Sequence, residues 1–271
     1  MTEQSQQTIS WPDSAASADE LLAIAIEAAR QAGAILKDWA GRFTVSEKSP
    51  ANLVTEADLA SQDKIHALIH GRFRDHNFLG EEGLAETNSD SPWRWVIDPL
   101  DGTSNYVHGF PYYAVNIALQ FGRELMVAVT LDPNRDELFT AIRGRGAVVN
   151  GRPLRPTRVS VLQEAMVVAS LPVACRPENY AVKQFLNVMP HVQTVQRTGS
   201  AALNLAYVAA GRMDAFWSGS LKPWDMAAGI LLVQEAGGRV TKMNGQPIDL
   251  EIPDLLSSNG SPIHDALQQL L

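Results

Sequence analysis

The chain has 271 residues, 45% of them hydrophobic, which is enough apolar material for a large core in one domain or two closely joined halves. A net charge of −8 argues against a nucleic-acid-binding surface, because phosphate backbones draw basic patches. Cys175 is the only cysteine, so no disulfide can form within the chain, and the sequence has no apolar run of about twenty residues that could cross a membrane. A cytoplasmic protein is the expectation.

Residues 1–16 are rich in Gln, Ser, Thr and Ala, have no hydrophobic period, and predict a loose tail. From residue 17 to residue 271 the chain reads as a single domain in two halves, 17–155 and 156–271. Ser17 and Glu20 have capping-box spacing, and Leu21, Ile24, Ala28, Ala32, Ile35 and Trp39 then recur at helical spacing up to Gly41. A second helix is expected from Thr55 and Asp58, with Leu59, Ile65, Leu68, Ile69 and Phe73 as its apolar face. Phe78–Gly80 reads as a brief strand before the acidic pair Glu81 and Glu82. Residues 84–92 are polar and loop-like, the kind of segment that can move over a site.

Trp95, Val96 and Ile97 form a short apolar strand that runs into Asp98, where Pro99 is expected to stop it and force a turn. Asp98 and Asp101 emerge on that turn, directly before Gly102-Thr103-Ser104-Asn105, a set suited to pointing backbone N–H groups at a phosphate. Carboxylates beside an anion cradle repel the anion unless a cation sits between them, and an oxygen donor set selects a hard ion such as Mg²⁺ or Mn²⁺.

Further strands are expected at 114–119, 125–130, 137–141 and 147–149, in mostly antiparallel order, with Asn150-Gly151 as a hairpin turn. The later part alternates strand and helix: strands at 166–170, 194–196 and 214–217, and helices at 178–189 and 200–210. An apolar helix is then expected to start at Asp225 and end at Gly237-Gly238. Asp225 reads as an N-cap whose remaining lone pairs are free for a cation, and Asp58 as a helix-start carboxylate favoured by the macrodipole.

The stretch Trp93–Tyr106, WRWVIDPLDGTSNY, resembles the signature of the inositol monophosphatase family of Mg²⁺-dependent phosphatases, and the match continues through His108-Gly-Phe-Pro111. A second family signature is matched by Trp224-Asp-Met-Ala-Ala-Gly229 with Glu235-Ala-Gly-Gly238, and the resemblance runs from about Leu21 to the C-terminus. It implies an α+β fold, a layered αβαβα sandwich, and commonly a homodimer. It also implies two or three Mg²⁺ ions. Glu81, Asp98 and the Leu100 carbonyl would hold the first, and Asp98, Asp101 and Asp225 the second.

In the implied reaction a metal-activated water, oriented by Glu81 and Thr103, attacks phosphorus in line. Asp58, in Leu53-Val-Thr-Glu-Ala-Asp58, fixes the Thr103 hydroxyl, and the Gly102 and Thr103 N–H groups bind phosphate. Gly199, Ser200 and Ala201 match a segment that lines the family's substrate pocket, to which Asp101 and Asp225 also belong. Ser218 stands where inositol-specific members usually carry a glutamate, which weakens the case for myo-inositol phosphate and admits a larger or more acidic alcohol. The implied substrates therefore extend to histidinol phosphate, fructose 1,6-bisphosphate and adenosine 3′,5′-bisphosphate. An alternative of another class is a regulatory protein that works through the transcription machinery, as some bacterial relatives are thought to do.

Overall fold

The computed structural model describes residues 16–49, 52–88, 90–172 and 175–271, so the expected tail lies outside the described residues apart from Ala16. Ser17 caps helix α1 (Ala18–Trp39) as its spacing predicts: the Ser17 hydroxyl accepts from the Glu20 N–H at 3.2 Å, and the Glu20 carboxylate accepts from the Ser17 N–H at 3.0 Å. A hairpin of β1 (Val45–Ser49) and β2 (Asn52–Thr55), not anticipated from the sequence, leads into α2 (Glu56–Arg72).

The expected apolar face of α2 needs correction. Leu59 is 47% exposed, and the buried positions are Ala57, Asp58, Ser61, Gln62, Ile65 and Ile69. The first turns of α2 face a polar site rather than the core, so hydrophobic period misreads them.

The strands β3 (Asn77–Gly80), β4 (Ala85–Glu86), β5 (Trp93–Asp101), β6 (Ala114–Phe121), β7 (Glu124–Asp132), β8 (Glu137–Ile142), β9 (Ala147–Val149) and β10 (Arg152–Pro153) form one sheet, with the short α3 (Thr103–Val107) between β5 and β6. Its order is β10-β9-β8-β7-β6-β5-β3-β4, and only the β3–β5 pair is parallel. Asn150 and Gly151, both at positive φ, make the predicted tight turn from β9 to β10.

The second sheet comes from β11 (Met166–Ala169), β12 (Thr194–Gln196), β13 (Ala215–Ser218), β14 (Arg239–Thr241) and β15 (Leu255–Ser258), in the order β12-β11-β13-β15-β14. Interleaved with them are α4 (Tyr180–Val188), α5 (Ala201–Ala209), α6 (Pro223–Ala236) and α7 (Ile263–Gln268).

Strand pleating explains the layers, since successive side chains leave opposite faces. In β5, Trp95 and Ile97 join the cluster under α1 and α2, while Val96 joins the cluster of α5 and α6. In the second sheet, Val168, Phe216 and Leu255 face α5 and α6, whereas Val167, Ala169, Ala215, Trp217 and Leu256 face α4 and α7. The result is the αβαβα sandwich.

Two local expectations change at the functional end. Strand β5 does not stop at Pro99 but runs to Asp101, with a shift of register between Asp98 and Asp101. A bulge tolerates a residue that has no N–H to give, and it re-aims the flanking side chains. The 84–92 segment begins beside Gly80, whose N–H donates to the Leu84 carbonyl. It then turns back, so that Asn88 and Ser91 bond to Asn77 at the start of β3, away from the Asp98 end of the sheet.

Candidate active site

Parallel pairing of β3 with β5 sets Gly80 opposite Ile97, so Glu81 and Asp98 leave neighbouring strands at the same end; the Glu81 N–H donates to the Ile97 carbonyl at 3.3 Å. Past the bulge comes Asp101, and then Gly102 at φ +98° turns the chain into α3. A Cβ at Gly102 would stand 3.1 Å from the Tyr112 carbonyl oxygen and 3.3 Å from that of Gly199, in a backbone region that L side chains rarely adopt.

Asp225 arrives from the far half of the chain. It is not the N-cap of α6: Lys222 is, Pro223 takes the first helical turn, and Asp225 is the third helical residue, its Oδ2 accepting from the Lys222 N–H at 2.7 Å. It still satisfies an otherwise orphaned donor while offering a carboxylate oxygen to the cluster.

Asp98, Asp101 and Asp225 each offer a carboxylate oxygen, and these oxygens lie within 4.8 Å of one another. Asp98 is 1% exposed and Asp101 8%. Among the described residues none of the three is in an ion pair with Lys or Arg. Burial first, and then the charges of Glu81, Asp101 and Asp225, push Asp98 well above the usual carboxylate range. Burial and Asp101 do the same to Asp225. Asp101 is pushed up to about 6 by burial, held back by bonds from Ser200 and from the Ala202 N–H.

Two buried carboxylates and a half-buried one, all raised by burial and by neighbouring acids, form an all-oxygen donor set short of positive charge. That fits a hard divalent cation. Glu81 stands outside the group of three, close enough for its charge to act on all of it.

Asp101 is fixed from the α5 side. The Ser200 hydroxyl and the Ala202 N–H, at 2.8 Å, both donate to its Oδ2, and Ser200 in turn caps α5 by accepting from the Leu203 N–H at 3.3 Å. The helix start thus steadies the carboxylate in its charged form. Asp58 is the third residue of α2. Its Oδ2 takes the Thr55 N–H at 2.9 Å and the Thr55 hydroxyl at 2.6 Å, and its Oδ1 faces the Thr103 hydroxyl at 3.3 Å. The helix-start contacts and the contact to Thr103 coexist because a carboxylate has two oxygens. Thr103 Oγ1 also lies 3.2 Å from the Leu100 carbonyl.

A cleft of about 690 Å³ opens beside the cluster, lined by Asp101 and Asp225 together with Gly199 and Ala201 of the predicted set. Ser218 is placed differently. It is fully buried at the end of β13, beneath Ser220, whose N–H donates to its hydroxyl at 3.3 Å, and it is Ser220 and Leu221 that line the cleft.

Sequence reasoning gave no role to the side chain of Asn105, whose amide donates to the Tyr112 carbonyl at 2.7 Å and the Thr198 carbonyl at 2.8 Å, tying α3 to the Gly199 loop. It also passed over Asn116, which donates to the Trp224 carbonyl at 2.7 Å and so holds the start of α6. The position of Asn105 within the motif was a signal; nothing local marked Asn116.

A profile of the inositol monophosphatase family matches residues 17–271. The chain belongs to the inositol monophosphatase family. Among curated relatives, the Nus factor SuhB of Pseudomonas aeruginosa is 42% identical over 248 residues, covering 88% of this chain and 91% of the relative. The inositol-1-monophosphatase of Mesorhizobium japonicum is 41% identical, covering 88% and 91%. Among solved structures, the extragenic suppressor protein suhB from Bartonella henselae superposes with a TM-score of 0.88 at 37% identity, covering 93% of this chain and 98% of the other. The Thermotoga maritima inositol monophosphatase gives 0.85 at 33% identity, covering 93% and 96%. The αβαβα sandwich is therefore the fold of this family.

Proposed function

We propose that this chain, a Mg²⁺-dependent phosphoric monoester hydrolase of the inositol monophosphatase family, acts on a small phosphorylated alcohol at the end of β5. The observation that carries the site assignment is the trio of buried Asp98, buried Asp101 and half-buried Asp225, with no Lys or Arg ion pair among the described residues. Glu81, Asp98, the Leu100 carbonyl, Asp101 and Asp225 are the residues that would hold two or three Mg²⁺ ions, with Mn²⁺ as a substitute. Bound there, the cation supplies charge neutralisation for the phosphoryl oxygens and acidifies water at neutral pH.

The chain's own contribution is orientation. Two donors from Thr55 occupy Asp58 Oδ2, which leaves Oδ1 to accept the Thr103 hydroxyl proton. With its proton so directed, Thr103 Oγ1 presents lone pairs to the attacking water, and Glu81 accepts that water's other hydrogen. The Gly102 and Thr103 N–H groups bind phosphate, and Gly102 can serve only because it lacks a Cβ. Gly199, Ala201, Asp101 and Asp225 bound the substrate side, and Ser200, buried behind them, acts there through its bond to Asp101.

Ser218 favours an alcohol other than myo-inositol. The residue is neutral, is buried under Ser220 and does not line the cleft, so the carboxylate that a glutamate would offer to a substrate hydroxyl is missing there. Histidinol phosphate, fructose 1,6-bisphosphate and adenosine 3′,5′-bisphosphate belong on the test panel with the inositol phosphates. Purified protein is expected to release phosphate with Mg²⁺ and to stop with EDTA. A tenfold lead for one substrate, about 1.4 kcal/mol in the transition state, names it. No release from any monoester, with Mg²⁺ demonstrably bound, overturns the proposal.

A second reading has support in the naming of relatives from Pseudomonas aeruginosa and Vibrio cholerae as Nus factor SuhB, at 42% and 37% identity. It makes the protein a partner of the transcription machinery through protein contacts, with no direct nucleic-acid binding expected at a net charge of −8. Recovery of polymerase subunits by the immobilised protein is its test. A homodimer and a cytoplasmic location complete the proposal; among the described residues no helix is long and apolar enough to cross a membrane.

A further inference from the structure

Gln62 lies on α2 one turn beyond Asp58, on the same buried face, and is 6% exposed. Its amide meets the turn after β3 at two points. The Gln62 Oε1 accepts from the Glu82 N–H at 3.1 Å, and the Gln62 Nε2 donates to the Glu82 carbonyl at 3.2 Å. The pairing copies one rung of a β-ladder with a side chain, so it constrains both the position and the tilt of the peptide.

Gly80 makes the approach possible. A Cβ there would fall 2.5 Å from Gln62 Oε1, so the residue before Glu81 has to be without a side chain for the amide to reach the turn.

From this geometry we propose that Gln62 is a positioning residue for Glu81, and so for the cation limb that Glu81 completes. Glu81 sits between two fixed points: its own N–H is tied to the Ile97 carbonyl at 3.3 Å, and the next residue is clamped by Gln62. The clamp and the Asp58 contact to Thr103 come from successive turns of one rigid helix. Helix α2 therefore sets, as a unit, the hydroxyl that orients water and the carboxylate that faces it. Gln62 does not line the cleft and has no reason to change how the alcohol portion of a substrate is held.

The inference rests on Glu81 being a cation ligand, and the test separates the two. In Gln62→Met, which keeps length and removes both hydrogen bonds, the Mg²⁺ concentration for half-maximal activity rises by about fivefold or more, the equivalent of losing one net hydrogen bond. Calorimetric titration of Mn²⁺ into the substrate-free protein shifts in the same direction, while KM at saturating Mg²⁺ changes by less than about twofold. Gln62→Glu keeps an acceptor for the Glu82 N–H and falls between the two, which keeps the test open if Gln62→Met does not fold. A folded Gln62→Met protein with wild-type Mn²⁺ affinity overturns the positioning role. Glu81→Gln with wild-type Mn²⁺ affinity would instead remove the ligand assignment on which it stands.

Discussion

Asp98 shows what a single side chain must reconcile at this site. It is buried, its Oδ1 accepts the Leu100 N–H at 3.0 Å, and the other acids around it favour its protonated form. In the metal-free protein, Asp98, Asp101 and Asp225 therefore hold protons at a pH where the unfolded chain has released them. A raised folded-state pKa stabilises at low pH, and the contribution fades as pH rises through the folded value, about 6 for Asp101. A cation must displace those protons, so the gain in melting temperature on adding Mg²⁺ should grow between pH 5.5 and 8. Calorimetry with and without Mg²⁺ at each pH checks this, and a gain that shrinks with pH contradicts it. Asp98→Asn keeps the acceptor for Leu100 and removes the charge. Turnover should fall by roughly 10³-fold or more, with a metal-free melting temperature no lower than that of the parent. Near-normal Mg²⁺-dependent activity in this variant would remove Asp98 from the site.

At the scale of elements, His264 joins α7 to the second sheet. The Thr241 hydroxyl gives its proton to the Lys242 carbonyl at 2.7 Å, so it accepts from His264 Nε2 at 2.9 Å. The Ser258 hydroxyl, which accepts from the Gly260 N–H at 3.1 Å, donates to His264 Nδ1 at 2.8 Å. The network assigns a neutral imidazole protonated at Nε2. Burial, and then Arg239, lower its pKa to about 4 from an ordinary 6.5. Here the unfolded chain takes the proton first, so stability present above pH 6.5 is lost as pH falls towards 4. Over that window this histidine alone should cost about 1.4 kcal/mol per pH unit, a slope absent from His264→Gln. Urea denaturation of both proteins in half-unit pH steps measures the difference, and equal slopes refute the network. The α6 start is a second case at this scale. Helical period in the sequence located the helix correctly, but its cap position came out wrong because Pro223 opens the helix earlier than Asp225.

For the whole molecule, α5 and α6 are the shared layer. Val96 and Ala128 from the first sheet and Val168 and Phe216 from the second belong to the same buried cluster around these helices. Neither sheet has an inner face of its own to keep if this layer loosens, so the halves 17–155 and 156–271 should unfold together. The two helices touch at Gly229, where a Cβ would lie 2.4 Å from Leu205. Gly229→Ala should cost about 1–3 kcal/mol by overpacking. Hydrogen exchange would then show β6, β7 and β13 losing protection in step. Loss confined to one sheet would mean two independent units.

The sequence by itself determined the two acid motifs, most strands and helices, the Ser17 capping box and the Asn150-Gly151 turn, because each rests on neighbours in the chain and on short-range backbone sterics. Only the tertiary structure decided the rest. It brought Asp225 and Ser200 to Asp101, set Glu81 beside Asp98 through a parallel strand pair, and carried β5 past Pro99 on a bulge. It also put Ser218 under Ser220, and it made the face of α2 polar where the helix meets the site. These outcomes depend on register between distant strands and on which layer each face is packed against, and neither is encoded in local spacing.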